Sequence, residues 1–581
     1  MTFTPKIGVY VCHCGINIAA TVDVKAVTEF SKELPGVVVS RDYTYMCSDP
    51  GQALIKKDIL EQGLNRVVVA SCSPRMHEPT FRAAVVDAGL NPYCFEMANI
   101  REQCAWVHSN ESATTLKAMQ LVASSVAKAA YLEPLEIRQV AVVPAALVIG
   151  GGMAGLQSAL DIAEAGFQVT LVERSDRLGG HAAQLHRTFP TLQPVTEMLS
   201  PLIEQVSTHP RIRVMIGAQV DSVSGYVGNF RVQVQTGQGE VSISAGAIIV
   251  ATGFEVFDAR KRPELGYGSY PEVITTLDFE RMAASGQISL NGRQPSRVAF
   301  IQCVGSRDRV VGNSYCSRVC CMVTARQAQL VQQLLPQAQV NVFYMDVRAY
   351  GNGFEEFYDD VRESGVIYRR GNPSEIVRRG DRVVVRAEDT LLGESVEVEA
   401  DLVVLAVGMV PRLDAGDTAG LLKLSRSADG FFLEAHPKLR PVDTAVAGVY
   451  LAGCCQGPKD IAESIAQARA AASAAMIPLM RGQVQVEAAT SFIDEDLCAG
   501  CGQCAEVCAF TALSLHPVRG VMTVNPVLCQ GCGACSVACP SGAINVHHFT
   551  FEQFMAQIGA LIGELELPVA LPDVEMAPVQ G

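Results

Sequence analysis

The chain has 581 residues, a formal net charge of −14, 49% hydrophobic residues and 18% charged residues. This balance is typical of a globular protein with several domains, and the negative charge argues against nucleic acid as a partner. No apolar stretch reaches the roughly 18 residues that a membrane-spanning helix needs, and no secretory signal precedes the 20 cysteines, so we expect a cytoplasmic protein in a reducing, anaerobic cell.

Residues 1–135 predict a compact α/β domain at the start of the chain. Buried strands are expected at Ile7–Val11, Val37–Ser40 and Val67–Ala70, with helices between them. Six cysteines precede residue 105. In a large intracellular chain, such cysteines more often bind metal or carry out redox chemistry than form disulfides.

Residues 140–300 predict the first part of a FAD-binding domain with a doubly wound α/β fold. A buried strand, Val142–Ile149, runs directly into Gly150, Gly152 and Gly155, and the next strand ends at Glu173. In the dinucleotide fingerprint, the glycines allow a tight turn, a close approach of the pyrophosphate and close packing of the following helix, and the acidic residue binds ribose hydroxyls.

Later motifs identify the dinucleotide as FAD rather than NAD alone, and they resemble those of flavoproteins with two dinucleotide-binding domains. In the return segment, residues 411–485, Cys454 and Cys455 follow Gly453 at a position where an acidic residue is common. The helix that begins near Asp460 would direct its N-terminus at the flavin ring, where its dipole stabilises negative charge. The FAD contacts predicted in these motifs are Gly180, His181, Thr252, Gly253, Gly453, Cys454, Asp460 and Ile461.

Residues 301–410 predict a degenerate nucleotide-binding domain. A pyridine nucleotide would need a second glycine triad after the strand Val298–Gln302, but the chain continues with Cys303 instead. Four cysteines follow the pattern C-x12-C-x3-C-C, at Cys303, Cys316, Cys320 and Cys321. This unusual spacing favours an iron–sulfur cluster, with a redox-active dithiol or inert buried cysteines as alternatives.

Residues 488–548 carry the clearest motif of the chain, two runs of C-x2-C-x2-C-x3-C that predict a ferredoxin domain with two [4Fe–4S] clusters. In this pattern the fourth cysteine of each run binds the other cluster. One cluster is therefore expected on Cys498, Cys501, Cys504 and Cys539, and the other on Cys529, Cys532, Cys535 and Cys508. Zinc or disulfides explain two complete runs poorly. Residues 549–581 predict a helix, Phe549–Leu565, and a Pro-rich tail.

The chain resembles the family of heterodisulfide reductase A subunits, which are flavin-bearing iron–sulfur proteins of anaerobes. The resemblance extends over nearly the whole sequence. It implies an N-terminal cluster with ligands among Cys12, Cys14, Cys47, Cys72 and Cys104, and it supports the cluster at Cys303. The strings that carry it are Val11–Gly15 (VCHCG), Tyr45–Gly51 (YMCSDPG), Ala70–Pro79 (ASCSPRMHEP), Ala98–Cys104 (ANIREQC), Gln302–Asp308 (QCVGSRD), Tyr315–Cys321 (YCSRVCC) and Cys455–Ile461 (CQGPKDI).

Two departures from the family pattern affect the functional interpretation. Methanogen relatives insert a second ferredoxin unit in the flavin domain, whereas here a short hairpin without cysteines joins Gly228–Val234 to Ala245–Ile249. The position five residues after the paired cysteines is a flavin-proximal lysine in the family and Arg326 here. Arginine keeps the charge but does not give up its proton, which weakens the transfer of electron bifurcation to this chain.

The resemblance implies an oxidoreductase that passes electrons within a multi-subunit complex, which could be dimeric. The implied partners are other subunits of such a reductase, an electron-donor module linked to hydrogenase, formate or NADH, and ferredoxin. Two alternatives stay open. One is a self-contained NAD(P)H-dependent disulfide reductase that uses Cys320 and Cys321, or Cys454 and Cys455. The other is an assembly scaffold with structural clusters.

Overall fold

The structure, a computed structural model, describes residues 4–109 and 111–562. The chain forms two units, residues 1–138 with 485–581, and residues 139–484. The predicted C-terminal helix is present as Phe551–Ile562, and the end of its predicted range and the predicted Pro-rich tail lie outside the described residues. Among the described residues, no helix is both long and apolar enough to cross a membrane.

The N-terminal part of the first unit is built on a four-stranded parallel sheet. Its strands, in spatial order, are Val37–Tyr43, Ile7–Cys12, Arg66–Ser71 and Phe95–Asn99. Two of them, Ile7–Cys12 and Arg66–Ser71, are buried at every residue, as expected of parallel strands covered by helices on both faces. The helices are Val24–Lys32, Asp49–Gln62, Pro74–Asp87 and Glu111–Ala129, with a π-helix at Arg101–Ala105. The predicted strands of this domain are thus confirmed.

The C-terminal part of the first unit has the short elements of a small two-cluster fold. Two antiparallel strand pairs, each of three-residue strands, accompany two short helices that carry cysteines. The last helix packs Ala556 and Ala560 against the core of the N-terminal part. The elements are the strands Ser491–Ile493 with Ile544–Val546 and Leu513–Leu515 with Met522–Val524, and the helices Gln503–Glu506, Ala534–Ala538 and Phe551–Ile562.

The second unit begins with a five-stranded parallel sheet covered by helices. A three-stranded antiparallel sheet follows its outer strand, and the hairpin predicted in place of an inserted domain is part of it. The parallel strands, in spatial order, are Val449–Leu451, Ala247–Val250, Ala145–Ile149, Gln168–Val172 and Ile212–Met215. The antiparallel strands are Gln219–Tyr226, Asn229–Thr236 and Gly239–Ala245, and the helices are Met153–Glu164, Val195–Thr208 and Ile461–Arg481, with 3-10 turns at Gly180–Gln184 and Gly453–Cys455.

A second parallel sheet of five strands occupies the middle of this unit and has its own antiparallel three-stranded sheet. The parallel strands, in spatial order, are Val273–Thr275, Leu402–Val407, Arg297–Val304, Gln339–Tyr344 and Ile367–Arg370. The antiparallel strands are Pro373–Arg379, Arg382–Asp389 and Glu394–Ala400. The remaining elements are the helices Thr276–Ala284, Cys320–Leu334, Phe354–Glu363 and Ala415–Leu422, the strand pair Glu255–Val256 with Met409–Val410, the 3-10 turns Ala259–Lys261 and Pro263–Leu265, and the short strands Arg138–Ala141 and Gln483–Val486.

Candidate flavin and iron–sulfur sites

The glycine-rich turn after the strand Ala145–Ile149 has no room for side chains at two of the three glycine positions of the fingerprint. Gly150 has a φ of +110°, and a Cβ added there would lie 2.3 Å from the carbonyl oxygen of Ala251. A Cβ at Gly155 would lie 1.8 Å from the carbonyl oxygen of Gly150, whereas one at Gly152 would meet no atom within 4 Å. Gly152 caps the helix that follows and leaves its N-terminus open to a phosphate. The turn fits a dinucleotide.

An open cleft of about 390 Å³ adjoins the acidic end of this turn. The carboxylate of Glu173 accepts the backbone N–H groups of Gly151 and Ser175, each at 2.7 Å. Arg174 lines the cleft together with residues 217–221 and the strand residues Gln235 and Thr236. The cleft therefore begins at the residue directly after Glu173, the acid that the fingerprint predicts to bind ribose. The sequence motifs did not predict these lining residues. A search of the segment after the strand Ile212–Met215 could have found residues 217–221.

The loop with Gly180 and His181 and the segment with Thr252 and Gly253, both predicted to contact FAD, come together in the fold. His181 stacks on Phe254 with ring centroids 4.3 Å apart, and its Nε2 is 3.0 Å from the carbonyl oxygen of Phe254. A Cβ at Gly180 would lie 3.1 Å from the Cα of Gly152, so this loop passes directly beside the glycine-rich turn. Thr252 and Gly253 precede Phe254, and Gly253 has a φ of +75°.

The flavin motif of the return segment, which includes Gly453 and Asp460, also lies beside the glycine-rich turn. Gly453 has a φ of +75°, and its added Cβ would lie 2.8 Å from the Cβ of Ala154. Asp460 caps the helix that begins at Ile461, because its carboxylate accepts the N–H of Glu463 at 2.7 Å. The N-terminus of this helix is therefore formed as the motif predicted.

The two cysteines that follow Gly453 are a half-buried thiol, Cys454, and a buried one, Cys455. Cys454 donates to the carbonyl oxygen of Lys459 at 3.4 Å, and Cys455 donates to that of Val250 at 3.1 Å. Burial raises the pKa of Cys455 to about 12, against the opposing charge of Lys459. Burial also raises the pKa of Cys454. Neither thiol has the depressed pKa of a reactive cysteine.

Arg326 lies in a buried polar cluster that the motifs did not predict. The side chain is 3% exposed and pairs with Glu280, which is 1% exposed. Glu280 also accepts the side-chain amide of Gln327 and, at 2.9 Å, the backbone N–H of His186. Within the described residues, Nε and Nη1 of Arg326 are buried without a hydrogen-bond partner. Two donors of a fixed guanidinium are thus available to another group.

The four mid-chain cysteines are mutual neighbours. Cys303 is the second-to-last residue of the strand Arg297–Val304 and has a φ of +61°, and Cys320 and Cys321 begin the helix Cys320–Leu334. Burial raises the pKa of Cys303 to about 12, and the charges of Cys321 and Cys316 add to the rise. Burial and the charges of Cys303, Cys321 and Cys316 raise the pKa of Cys320 well above its usual value. Thiols with raised pKa values stay protonated until iron binds and displaces their protons. The four neighbouring cysteines therefore fit one [4Fe–4S] cubane.

The N-terminal cysteines meet at the carboxyl edge of the parallel sheet. Cys12 ends one strand, Cys47 follows the neighbouring strand Val37–Tyr43, and Cys72 follows the strand Arg66–Ser71 on the other side. Cys14 has a φ of +53° in the first of these loops. Because the strands are parallel, their carboxyl ends share one edge, which is where open α/β sheets bind ligands.

The pKa shifts of these thiols indicate the same grouping of the N-terminal cysteines. Burial raises the pKa of Cys12, and the charges of Cys14 and Cys47 contribute to the rise. Burial raises the pKa of Cys72 to about 11, with the nearby charge of Arg101 opposing it and that of Cys14 adding to it. Cys104 has different surroundings, because its thiol donates to the carbonyl oxygen of Thr114 at 3.2 Å, and burial raises its pKa against the charge of Lys117.

The ferredoxin cysteines group across the two runs as the spacing predicted for the second cluster. Cys508 of the first run lines one cavity with Cys529, Cys532 and Cys535 of the second run. Burial raises the pKa of Cys504 in the first run, and the charges of Cys535 and then Cys539, both of the second run, add to the rise. The described residues offer no group of three or more Cys, His, Asp or Glu side chains able to hold a single metal ion. A cubane differs, because each of its thiolates binds a separate iron.

Backbone N–H groups point at the sulfurs of this segment. Met522 donates to Cys498 at 3.4 Å, Ala512 donates to Cys508 at 3.4 Å, and Ser491 donates to Cys529 at 3.3 Å. The hydroxyl of Ser491 lies 3.2 Å from Cys535. Such donors stabilise the negative charge of cluster thiolates.

Comparison with known families supports both halves of this description. The pattern described as pyridine nucleotide-disulphide oxidoreductase matches residues 144–475. The pattern described as a 4Fe-4S dicluster domain matches residues 497–543. Together with the two parallel sheets and the short C-terminal elements, these matches confirm the predicted fold class.

Two similar proteins are A subunits of heterodisulfide reductases. The iron-sulfur A subunit of a CoB–CoM heterodisulfide reductase from Methanopyrus kandleri is 48% identical, with 88% of this chain and 91% of that protein covered. The A subunit of the H2:CoB-CoM heterodisulfide,ferredoxin reductase from Methanothermobacter marburgensis is 46% identical, with 96% and 98% covered. The thioredoxin reductase of T. acidophilum, a solved structure, is 19% identical, with 57% of this chain and 96% of that chain covered and a TM-score of 0.40.

Proposed function

The chain belongs to the family of heterodisulfide reductase A subunits and is an oxidoreductase, and on that premise we propose that it relays electrons through FAD and four [4Fe–4S] clusters. A donor module would feed the relay, and a disulfide-reducing or thiol-reducing partner or ferredoxin would accept from it. The observation that carries the proposal is that one chain combines a dinucleotide turn with cysteine groups suited to four cubanes.

The proposed ligand sets follow the cysteine groups. Two clusters belong to the ferredoxin segment, one to the set that contains Cys303, and one to Cys12, Cys14, Cys47 and Cys72. Cys104 is left out of the proposal because its thiol is engaged with Thr114. Buried neutral thiols would release protons as iron binds, so cluster assembly should be favoured by higher pH.

Bound FAD supplies the exchange between two-electron and one-electron transfer. The residues of this chain would hold and tune it. The glycine-rich turn receives the pyrophosphate, and the helix capped by Asp460 directs its positive end at the ring. Arg326 would keep a fixed positive charge nearby, because its guanidinium stays protonated and is anchored by Glu280.

The names of the relatives support the proposed partners. The relative from Methanothermobacter marburgensis is named for H2 and ferredoxin, and one from Methanococcus maripaludis for H2 or formate. We therefore propose that this chain works in a multi-subunit complex with a hydrogenase-, formate- or NADH-linked donor module. We also propose that this complex divides an electron pair between two acceptors.

Cofactor analysis of anaerobically purified full-length protein tests the proposal. We expect about sixteen irons, a matching amount of sulfide, and one FAD per chain, as four cubanes and one flavin require. Protein that is colourless, or yellow without bound iron, would end the proposal. Mass spectrometry of co-purifying subunits then tests the partners, and a chain that purifies alone from its native source would contradict the proposed complex.

A self-contained NAD(P)H-dependent disulfide reductase is the second candidate, favoured by the match to pyridine nucleotide-disulphide oxidoreductases. Two observations oppose it. The strand Arg297–Val304 ends with Cys303 and Val304 and is not followed by the second glycine triad that a pyridine nucleotide needs, and burial raises the pKa of Cys455 to about 12. Anaerobic titration with NADH separates the two functions, since rapid bleaching of the flavin in the isolated chain would favour the reductase.

A further inference from the structure

Arg101 lies beside the N-terminal cysteines in a position that no cysteine motif predicts. The strand Phe95–Asn99 ends at the same sheet edge as the strands that lead to the cysteines, and the π-helix Arg101–Ala105 begins two residues later. π-helical turns are rare and are frequently found at functional sites. The Arg101 residue is only 8% exposed.

The guanidinium of Arg101 contacts the cysteine group directly. Nη1 donates to the sulfur of Cys14 at 3.2 Å, and Nη2 lies 2.8 Å from the sulfur of Met76. The guanidinium thus lies within hydrogen-bond distance of one member of the proposed ligand set.

Two neighbours hold the guanidinium in this orientation. Glu102 accepts Nη2 of Arg101 at 2.7 Å and Nε at 3.2 Å, and its other oxygen accepts the backbone N–H of Ser73 at 2.8 Å, directly after Cys72. The ring of Trp106 covers the opposite side, with the guanidinium carbon 4.6 Å from the ring centroid. Trp106 is 57% exposed and is the single tryptophan of the chain.

We propose that Arg101 is a positioning residue that sets the reduction potential of the N-terminal cluster by donating a charged hydrogen bond to the Cys14 thiolate. The inference rests on the proposed function, because it requires that the four N-terminal cysteines bind a cluster. Reduction adds a negative charge to a cluster, and a fixed cation with an N–H directed at a ligand sulfur stabilises that charge. Charged donors are roughly twice as strong as neutral ones.

The test uses the full-length protein, purified without oxygen, and three variants. Cys14→Ala identifies the EPR signal of the N-terminal cluster as the signal that this variant loses. Arg101→Gln removes the charge, and Arg101→Lys keeps it without the planar guanidinium. Arg82→Gln is the matched control, because Arg82 also pairs with a nearby acid, Glu78 at 2.7 Å, and lies 4.6 Å over an aromatic ring, that of Tyr93.

EPR-monitored potentiometry should show that Arg101→Gln makes reduction of this cluster about tenfold less favourable, a shift of about 59 mV for one electron. Arg101→Lys should shift the potential in the same direction by less, and Arg82→Gln should leave it unchanged. An unchanged potential in Arg101→Gln would overturn the inference. Loss of iron from both Arg101 variants would also overturn it, because Arg101 would then hold the cluster in place rather than set its potential.

Trp106 separates a failure of this inference from a failure of the proposed function. An iron–sulfur cluster quenches nearby indole fluorescence, so Cys14→Ala should lose about four irons and gain tryptophan emission. If Cys14→Ala changes neither iron content nor emission, Cys14 binds no cluster and the proposed ligand set fails at this site. If it changes both while Arg101→Gln keeps the wild-type potential, only the role of Arg101 is wrong.

Discussion

The ferredoxin segment and the N-terminal domain both gather cysteines, but they do so by different means. In the ferredoxin segment, three ligands of each predicted cluster are separated by only two residues from one to the next, and only the fourth comes from the other run. In the N-terminal domain, the cysteines lie on three loops between residues 12 and 72, and three parallel strands bring those loops to one edge. The first site is therefore encoded locally, whereas the second depends on strand order.

The two regions also differ in what surrounds the sulfurs. The ferredoxin sulfurs have neutral partners, because they accept backbone N–H groups and the hydroxyl of Ser491 lies near Cys535. The N-terminal cysteines have the buried cation of Arg101 among them. Because a charge stabilises a reduced cluster more than a neutral donor does, the two regions should be tuned to different potentials with the same kind of cluster.

The largest expected effect tests which N-terminal cysteines belong to the group. Cys72→Ala should remove about four irons per chain, because a cubane needs four thiolates. Cys104→Ala should keep all of the iron, since this thiol donates to the carbonyl oxygen of Thr114 instead. Iron content per FAD measures both variants in one preparation. Equal iron loss in the two variants would mean that strand order does not select the ligands as the structure indicates.

This contrast also explains how much of the sites could be predicted from the sequence. The cysteine spacing of the ferredoxin segment predicted the grouping of Cys508 with the second run, and the glycine fingerprint predicted the tight turn at Gly150. Both depend on residues close together in the chain. The choice among five N-terminal cysteines, the position of Arg101 and the pair between Glu280 and Arg326 depend on which strands and helices become neighbours, and no local pattern carries that information.

The boundaries of helices and strands show a second limit to what can be predicted from the sequence, and the cause of this limit is local. The strand predicted from Val142 begins at Ala145, because Pro144 cannot donate a hydrogen bond to a neighbouring strand. The helix that the glycine fingerprint predicts after this strand begins at Met153, because Gly152 serves as its N-cap. Apolar periodicity marks the middle of each element, whereas the ends depend on single residues with special backbone properties.

A smaller effect should appear where the two regions of the first unit meet, at His548. Burial, together with the positive charges of Lys128 and Arg82, lowers the pKa of His548 to about 4, against the hydrogen bond with the carbonyl oxygen of Glu133 at 2.9 Å. The unfolded chain binds this proton near pH 6.5 and the folded chain does not, so stability is present above that pH and is lost as the pH falls toward 4. The loss should be up to about 3 kcal/mol.

Hydrogen exchange in the helix Phe551–Ile562 measures this loss. Protection in the wild-type protein should decrease between pH 6.5 and 4 after correction for the intrinsic exchange rate. His548→Asn keeps a residue that tolerates the φ of +68° but removes the titrating group, so its protection should depend less on pH. His516→Asn, in the hairpin of the same segment, is the control and should behave like the wild type. A His548→Asn protein with the wild-type pH dependence would assign the effect to other groups.

The smallest expected effect sharpens the distinction between neutral and charged donors. Ser491→Ala removes the hydroxyl 3.2 Å from Cys535 but keeps the backbone N–H that donates to Cys529. Reduction of the cluster on Cys529, Cys532, Cys535 and Cys508 should become less favourable by well under tenfold, less than about 59 mV. Ser514→Ala, which loses only a contact with Thr523 at 3.3 Å, is the matched control. If Ser491→Ala shifts its cluster as far as Arg101→Gln shifts the N-terminal one, the charge of Arg101 has no special role, and the two regions differ only in how their cysteines are brought together.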